Sequence, residues 1–159
     1  MGGLLGIYIA DTGNDRIRHV KLDNTIETIP GGTYVQSPRG LTVDRDGVVA
    51  AMDENRNLVV AIQPSGVTAA LAGLGIADGA PPNRVLLSLR DVPAIALGPT
   101  GILFGEAGRI DRISTLDGQF SVLVGDRGAI NYSVGSPYGL AIDPVRGDFL
   151  FTNPLLLPW

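Results

Sequence analysis

One phrase is written three times along the chain, and it constrains the fold more than any other feature. It reads Ser37-Pro38-Arg39-Gly40-Leu41-Thr42-Val43-Asp44-Arg45-Asp46-Gly47, then loosely Asp91-Val92-Pro93-Ala94-Ile95-Ala96-Leu97-Gly98-Pro99-Thr100-Gly101, then Ser136-Pro137-Tyr138-Gly139-Leu140-Ala141-Ile142-Asp143-Pro144-Val145-Arg146-Gly147. The steps from Leu41 to Ile95 to Leu140 are 54 and 45 residues. After each of the first two copies come a second apolar strand (Val48 to Met52, Ile102 to Glu106) and a third (Asn57 to Ile62, Arg109 to Ser114). A fourth follows in each, Val67 to Ala72 and Phe120 to Val124, with turn-forming residues between the strands. The opening segment fits the same frame entered late: Ile7 to Asp11 matches the second strand, Arg16 to Val20 the third and Thr25 to Ile29 the fourth, which aligns Asn14 with Asn55.

Four-stranded units repeating at this spacing predict an all-β chain of antiparallel sheets arranged as a β-propeller. Neighbouring blades cover both faces of each sheet, so strands such as Leu58-Val59-Val60-Ala61-Ile62 read as continuous apolar runs and not as alternation. No segment keeps a 3.6-residue period free of Gly and Pro, which are 22 and 11 of the 159 residues. The strands count three, four, four and two, about three and a quarter blades in one propeller segment over residues 1–159. Its parts are a partial blade over 4–29, blades over 38–72 and 91–124, a partial blade over 137–153 and an atypical tail at 154–159. An open arc leaves two apolar blade faces uncovered. The chain therefore reads as a fragment of a larger product, a truncated gene model, or a protomer that closes its ring with a second copy.

Ser-Pro-Arg-Gly-Leu-Thr-Val-Asp at 37–44 and Ile-Tyr-Ile-Ala-Asp-Thr-Gly-Asn-Asp-Arg-Ile-Arg-His-Val at 7–20 resemble the two halves of the NHL repeat. The resemblance implies a propeller that is commonly six-bladed, whose face loops dock partners. In Asp11-Thr12-Gly13-Asn14-Asp15-Arg16, Asp11 ends a strand and accepts turn N–H groups, while Gly13 and Asn14 are the residues expected to tolerate positive φ. The second unit departs by placing Met52 at the Asp11 position and Asn57 at that of Arg16, and the third shortens the turn to Ala107-Gly108.

Composition narrows the chemistry. Sixteen carboxylates against twelve Lys and Arg give a net charge of −4, and the basic residues are scattered, so nucleic acid is not an expected partner. Uncharged apolar stretches such as Val92 to Gly105 are broken by Pro and Gly and cannot span a bilayer as a helix, and no signal peptide is expected at Met1-Gly2-Gly3. Nothing marks a compartment. No cysteine and one histidine leave no thiolate chemistry and no imidazole cluster for zinc, and His19 reads as an edge or surface side chain. Propeller lactonases of related shape use calcium, and Asp44, Asp53, Glu54, Asp143 and Asn153 supply oxygen donors, though all sit where turn caps belong. No Gly-x-Ser-x-Gly elbow is present, and Gly73 to Gly79 is a loop and not a phosphate cradle.

The segments Pro30 to Pro38, Gly73 to Leu89 and Gly125 to Pro137 are expected on one face, and long loops carry function more often than core strands do. Tyr34, Arg39, Arg90, Arg127, Tyr132 and Tyr138 lie in or beside them and suit a protein- or peptide-binding face. The expected function is a binding scaffold without cofactor or catalysis. The alternative is part of a metal-dependent propeller hydrolase or lyase, which needs acidic or imidazole side chains converging on the central channel and fails if Asp44, Asp53 and Asp143 all cap turns.

Overall fold

Each copy of the repeated phrase becomes the first strand of a sheet. The computed structural model describes residues 6–73, 87–89, 92–125 and 135–152. The first sheet holds β1 (Ile7–Asp11), β2 (Arg16–Val20) and β3 (Ile26–Thr28). In the second, β4 (Pro38–Val43), β5 (Val49–Asp53), β6 (Leu58–Ile62) and β7 (Thr68–Ala72) pair antiparallel in chain order. The third repeats this with β8 (Ile95–Gly98), β9 (Gly101–Glu106), β10 (Arg109–Ser114) and β11 (Phe120–Val124). A two-stranded sheet of β12 (Leu140–Ile142) and β13 (Phe149–Phe151) follows. The chain is all-β, with four-stranded antiparallel sheets as the repeating unit.

The core lies between sheets. Ile17, Ile29 and Val35 meet Val49, Ala51, Leu58, Val60 and Ile62 between the first and second. The opposite face of the second sheet, with Met52 and Val59, packs on Ile102, Phe104 and Ile113 of the third. Ile110 and Val124 then meet Leu140, Phe149 and Phe151 of the last. The second and third sheets are thus covered on both faces, which accounts for β5 and β9 being buried along their whole length.

Repeat-equivalent positions show what coverage does. Ile7, Val49 and Ile102 hold the same place in β1, β5 and β9, yet they are 66%, 1% and 8% exposed. The outer face of the first sheet has the composition of a packed face with no neighbour among the described residues. On the far side of the last sheet, Leu150 is likewise exposed.

The ladder fixes the repeat register and corrects one alignment. Asp11 pairs with Arg16 across the first turn and Asp53 with Leu58 across the second, so Asp11 corresponds to Asp53, not Met52. Asn57 then corresponds to Asp15, not Arg16, and both adopt left-handed backbone, φ 53° at Asp15 and 52° at Asn57. Positive φ falls on neither Gly13 nor Asn14: Thr12–Asn14 forms a single 3₁₀ turn, and Asp15 carries the reversal. His19 is also not an edge residue. It lies in the middle strand of its sheet, its side chain 14% exposed and stacked on Tyr8 with ring centroids 4.5 Å apart.

The first strands approach each other in succession, β4 against β8 and β8 against β12, which puts them on the inner side of the arc. The glycine of the repeated phrase permits this: a Cβ on Gly40 would lie 2.0 Å from the Pro93 carbonyl oxygen. Gly40→Ala is expected to cost about 1–3 kcal/mol in urea denaturation. Gly13→Ala, where an added Cβ meets nothing within 4 Å, serves as the neutral control. Equal midpoints for the two variants would contradict the close approach.

Candidate functional site

Strands two and three of each sheet are joined at the same end as the loops that lead from one sheet to the next, because four antiparallel strands in order return the chain to its starting end. This end carries the candidate binding face. It is built around a carboxylate at the close of β1, β5 and β9, the second strands of the first three sheets. Asp53 is fully buried and accepts the backbone N–H of Gln36 at 3.0 Å and that of Arg56 at 3.0 Å. Glu106 in the third sheet accepts the N–H of Ser88 at 2.9 Å. Each acid therefore holds the segment leading into its own sheet, and each is paired with an arginine three residues on, Arg56 or Arg109. Asp11 instead accepts from Asn14 at 2.8 Å and Arg18 at 3.0 Å, and these bonds, Asn14 first, lower its pKa.

The left-handed residues complete a second, inter-sheet contact. Asp15 Oδ1 accepts the backbone N–H of Ser37 at 2.7 Å, and Asn57 Oδ1 accepts that of Leu89 at 3.0 Å. A turn of one sheet thus binds the segment leading into the next. At the following junction Gly108 has no side chain, and its N–H donates to the Gly135 carbonyl at 2.7 Å instead. Sequence reasoning missed these latches. Their signal is a short acceptor side chain at the fifth position of the turn, four residues after the strand-end acid.

Of the six expected face residues, the structure brings Tyr34 and Arg39 to one turn. Arg56 lies over the Tyr34 ring, its carbon 4.5 Å from the centroid, and donates to the Tyr34 carbonyl. Arg39 donates to Glu54 at 2.8 Å, and Ser37 Oγ donates to the same oxygen at 3.0 Å. Tyr138 is exposed at the position of the fourth sheet that Arg39 holds in the second, as the phrase alignment requires. Arg90, Arg127 and Tyr132 lie outside the described residues.

The oxygen donors considered for calcium are engaged in turns. Asp44 accepts the N–H groups of Asp46 and Val48, both at 2.8 Å, and Asp143 those of Val145 and Arg146, which lower its pKa. Asp53 caps its own turn, and Asn153 is outside the described residues. Among the described residues no three His, Asp or Glu side chains converge as a metal-binding group. The metal-dependent reading thereby loses Asp44, Asp53 and Asp143 as channel ligands.

One acidic group departs from this pattern. Asp111, fully buried beside Phe104 between the second and third sheets, has its pKa pushed up to about 9, first by burial and then by a hydrogen bond shared with Glu106. Arg109 reaches it at 3.2 Å, and its Oδ1 has no partner among the described residues.

Two expectations follow from these contacts. Asn57→Gly keeps the left-handed backbone but strands the Leu89 N–H, and equilibrium unfolding should show a loss of about 1 kcal/mol; an unchanged midpoint would remove the latch. Asp111 stays protonated in the folded protein while the unfolded chain ionises from the ordinary value of 3.8, so this group makes stability fall as pH rises from about 4 to about 9. Asp111→Asn should therefore gain on the parent protein steadily across that window in denaturant titrations. Parallel pH profiles would show that Asp111 ionises normally.

No family model and no curated protein matches the chain. Solved structures do. Selenomethionine-substituted virginiamycin B lyase from Staphylococcus aureus matches at 23% identity over 92% of this chain and 44% of its own, with a TM-score of 0.61. A protein provisionally assigned as a gluconolactonase matches at 15% identity over 96% and 57%, with a TM-score of 0.63. The extracellular domain of a provisionally assigned hybrid two-component system from B. thetaiotaomicron matches at 14% identity over 87% and 17%, with a TM-score of 0.55. The chain spans 57% or less of each of these structures, and its likeness to them is one of fold: an incomplete β-propeller.

Proposed function

We propose that the chain is part of an NHL-type propeller that binds a protein or peptide partner on the face formed by the sheet-connecting loops. The observation that carries this reading is the convergence of Tyr34 and Arg39 on the β5–β6 turn, where Arg56 and Glu54 hold an aromatic ring and a guanidinium in fixed, exposed positions. Aromatic and arginine side chains held in this way are the common anchors of protein interfaces. Tyr138 extends the same face across the arc. In this reading the outer face of the first sheet is covered by a further sheet of the same repeat, from the rest of the protein or from a second copy.

A second reading is favoured by the solved structures of like fold, which include a lyase and a provisionally assigned gluconolactonase, each longer than this chain. Asp44, Asp53 and Asp143 cap turns, so the metal-dependent form that needed them as ligands is set aside, and this reading makes the chain a non-catalytic part of a propeller enzyme whose reacting groups lie in the remainder of the ring.

Selection of a phage-displayed random peptide library on the immobilised chain tests the scaffold reading. Enriched peptides should lose about tenfold in affinity against Tyr34→Ala or Arg39→Ala. They should bind Leu116→Ala unchanged, since that exposed side chain lies in the β10–β11 turn at the opposite end. Failure to enrich, or sensitivity to Leu116 alone, would overturn it.

A further inference from the structure

At the end of the second sheet away from the β5–β6 turn, a cavity of about 370 Å³ opens between the first two sheets. That volume lies within the roughly 300–1,000 Å³ range of small-molecule sites. Its apolar wall includes Val49 and Ile62, both buried at the sheet interface. Tyr8 and His19 line it as a stacked pair, their planes 15° apart.

Among the described residues Glu27 and Asp46 line the cavity and no lysine or arginine does; His19, with Nδ1 3.7 Å from Glu27 Oε1, is the one lining side chain that becomes cationic, and only when protonated. Glu27 is ionised, its pKa lowered chiefly by the bond from Lys21, which reaches it at 2.6 Å from outside the lining. Among the described residues nothing pairs with the Asp46 carboxylate; only its backbone N–H is engaged, by Asp44. An apolar wall, an aromatic pair and an uncompensated carboxylate together define an amphiphilic cation as the complementary ligand.

We propose that this cavity binds a small organic ammonium ion bearing one apolar ring, with the ring against Val49, Ile62 and the Tyr8–His19 pair and the ammonium beside Glu27 and Asp46. The cavity lies at the opposite end of the second sheet from the β5–β6 turn and, of the segments assigned to the loop face, only Pro30 reaches its described lining, so it stands or falls independently of the peptide-binding reading.

His19 is the sole histidine of the chain, so its ring protons give an isolated proton NMR reporter inside the site. The probe is 2-phenylethylammonium chloride, titrated into the full chain at fixed pH against matched sodium chloride. The expected result is a saturable shift of the His19 ring signals with a Kd of about 1 mM or below. 3-Phenylpropionate, with the same ring and the opposite charge, should bind at least about tenfold more weakly. Asp46→Asn, which leaves the Asp46 N–H bond available, should weaken the ammonium ion about fivefold, the effect of one unit charge at contact distance in water. Absence of a saturable shift up to about 10 mM would overturn the site. So would equal affinity for phenylpropionate, or an affinity untouched by Asp46→Asn, since either would leave an apolar cavity without charge selection.

Discussion

A sheet in this protein has no core of its own. Each is one layer of apolar strands, and burial comes only from the sheet on either side, so the relative placement of neighbouring sheets decides whether the hydrophobic term is gained at all. Fully burying a Val, Leu or Ile side chain contributes roughly 1.5–3 kcal/mol. The contrast between exposed Ile7 and buried Val49 at one repeat position is that term switched off and on by a neighbour. The polar contacts at the loop end have to be understood against this requirement. Dispersion and hydrophobic contact are non-directional and leave a sheet free to slide. The bonds from Gln36 and Ser88 to Asp53 and Glu106, and from Ser37 and Leu89 to Asp15 and Asn57, fix where each incoming segment begins.

This division of labour explains why so many carboxylates are unavailable for chemistry. A buried backbone N–H in a connecting loop must find an acceptor. The loops between sheets cannot use ladder partners, and the strand-end acids and left-handed turn residues supply the acceptors. Asp53 and Glu106 are then neutralised by Arg56 and Arg109 across the same turn. What is left over is informative: Asp46 at a cavity mouth, Asp111 protonated between sheets, and the Tyr34–Arg56 and Arg39–Glu54 pairs facing outward.

The strand pattern was legible because it depends on local composition. All three copies of the phrase became first strands, and the strands expected from Val48 to Val124 formed within a residue or two of their expected ends. Register across the turns was less legible. Matching Asn14 to Asn55 is natural by residue type, but the two turns have equal length, and the ladder pairs Asp11 with Arg16 and Asp53 with Leu58. The equivalence therefore follows backbone geometry, with Asp15 and Asn57 sharing a conformation and a task despite different side chains. The latches were invisible for another reason. Their partners lie 22 and 32 residues downstream, at Ser37 inside the repeated phrase but at Leu89 two residues ahead of its second copy, so the two do not align in sequence. His19 was misplaced because a single polar residue in a strand carries no sign of which neighbour covers it. Here the cover is Tyr8 on the adjacent strand, directly opposite in register.

The third junction shows how far the repeat can drift while the constraint holds. Its turn has lost the acceptor side chain, with Gly108 at a φ of 82° standing in a two-residue hairpin. The fixing bond survives by reversing direction: the turn now donates, from Gly108 N–H to the Gly135 carbonyl. A backbone carbonyl is always available in an incoming segment, so this version needs no particular side chain and places no mark on the sequence. The feature common to the three described junctions is thus one directional bond between turn and incoming segment, whichever partner donates. Ala107 is likewise held through its backbone, its N–H donating to the Ser88 carbonyl at 3.4 Å, so this turn holds both segments without using a side chain of its own.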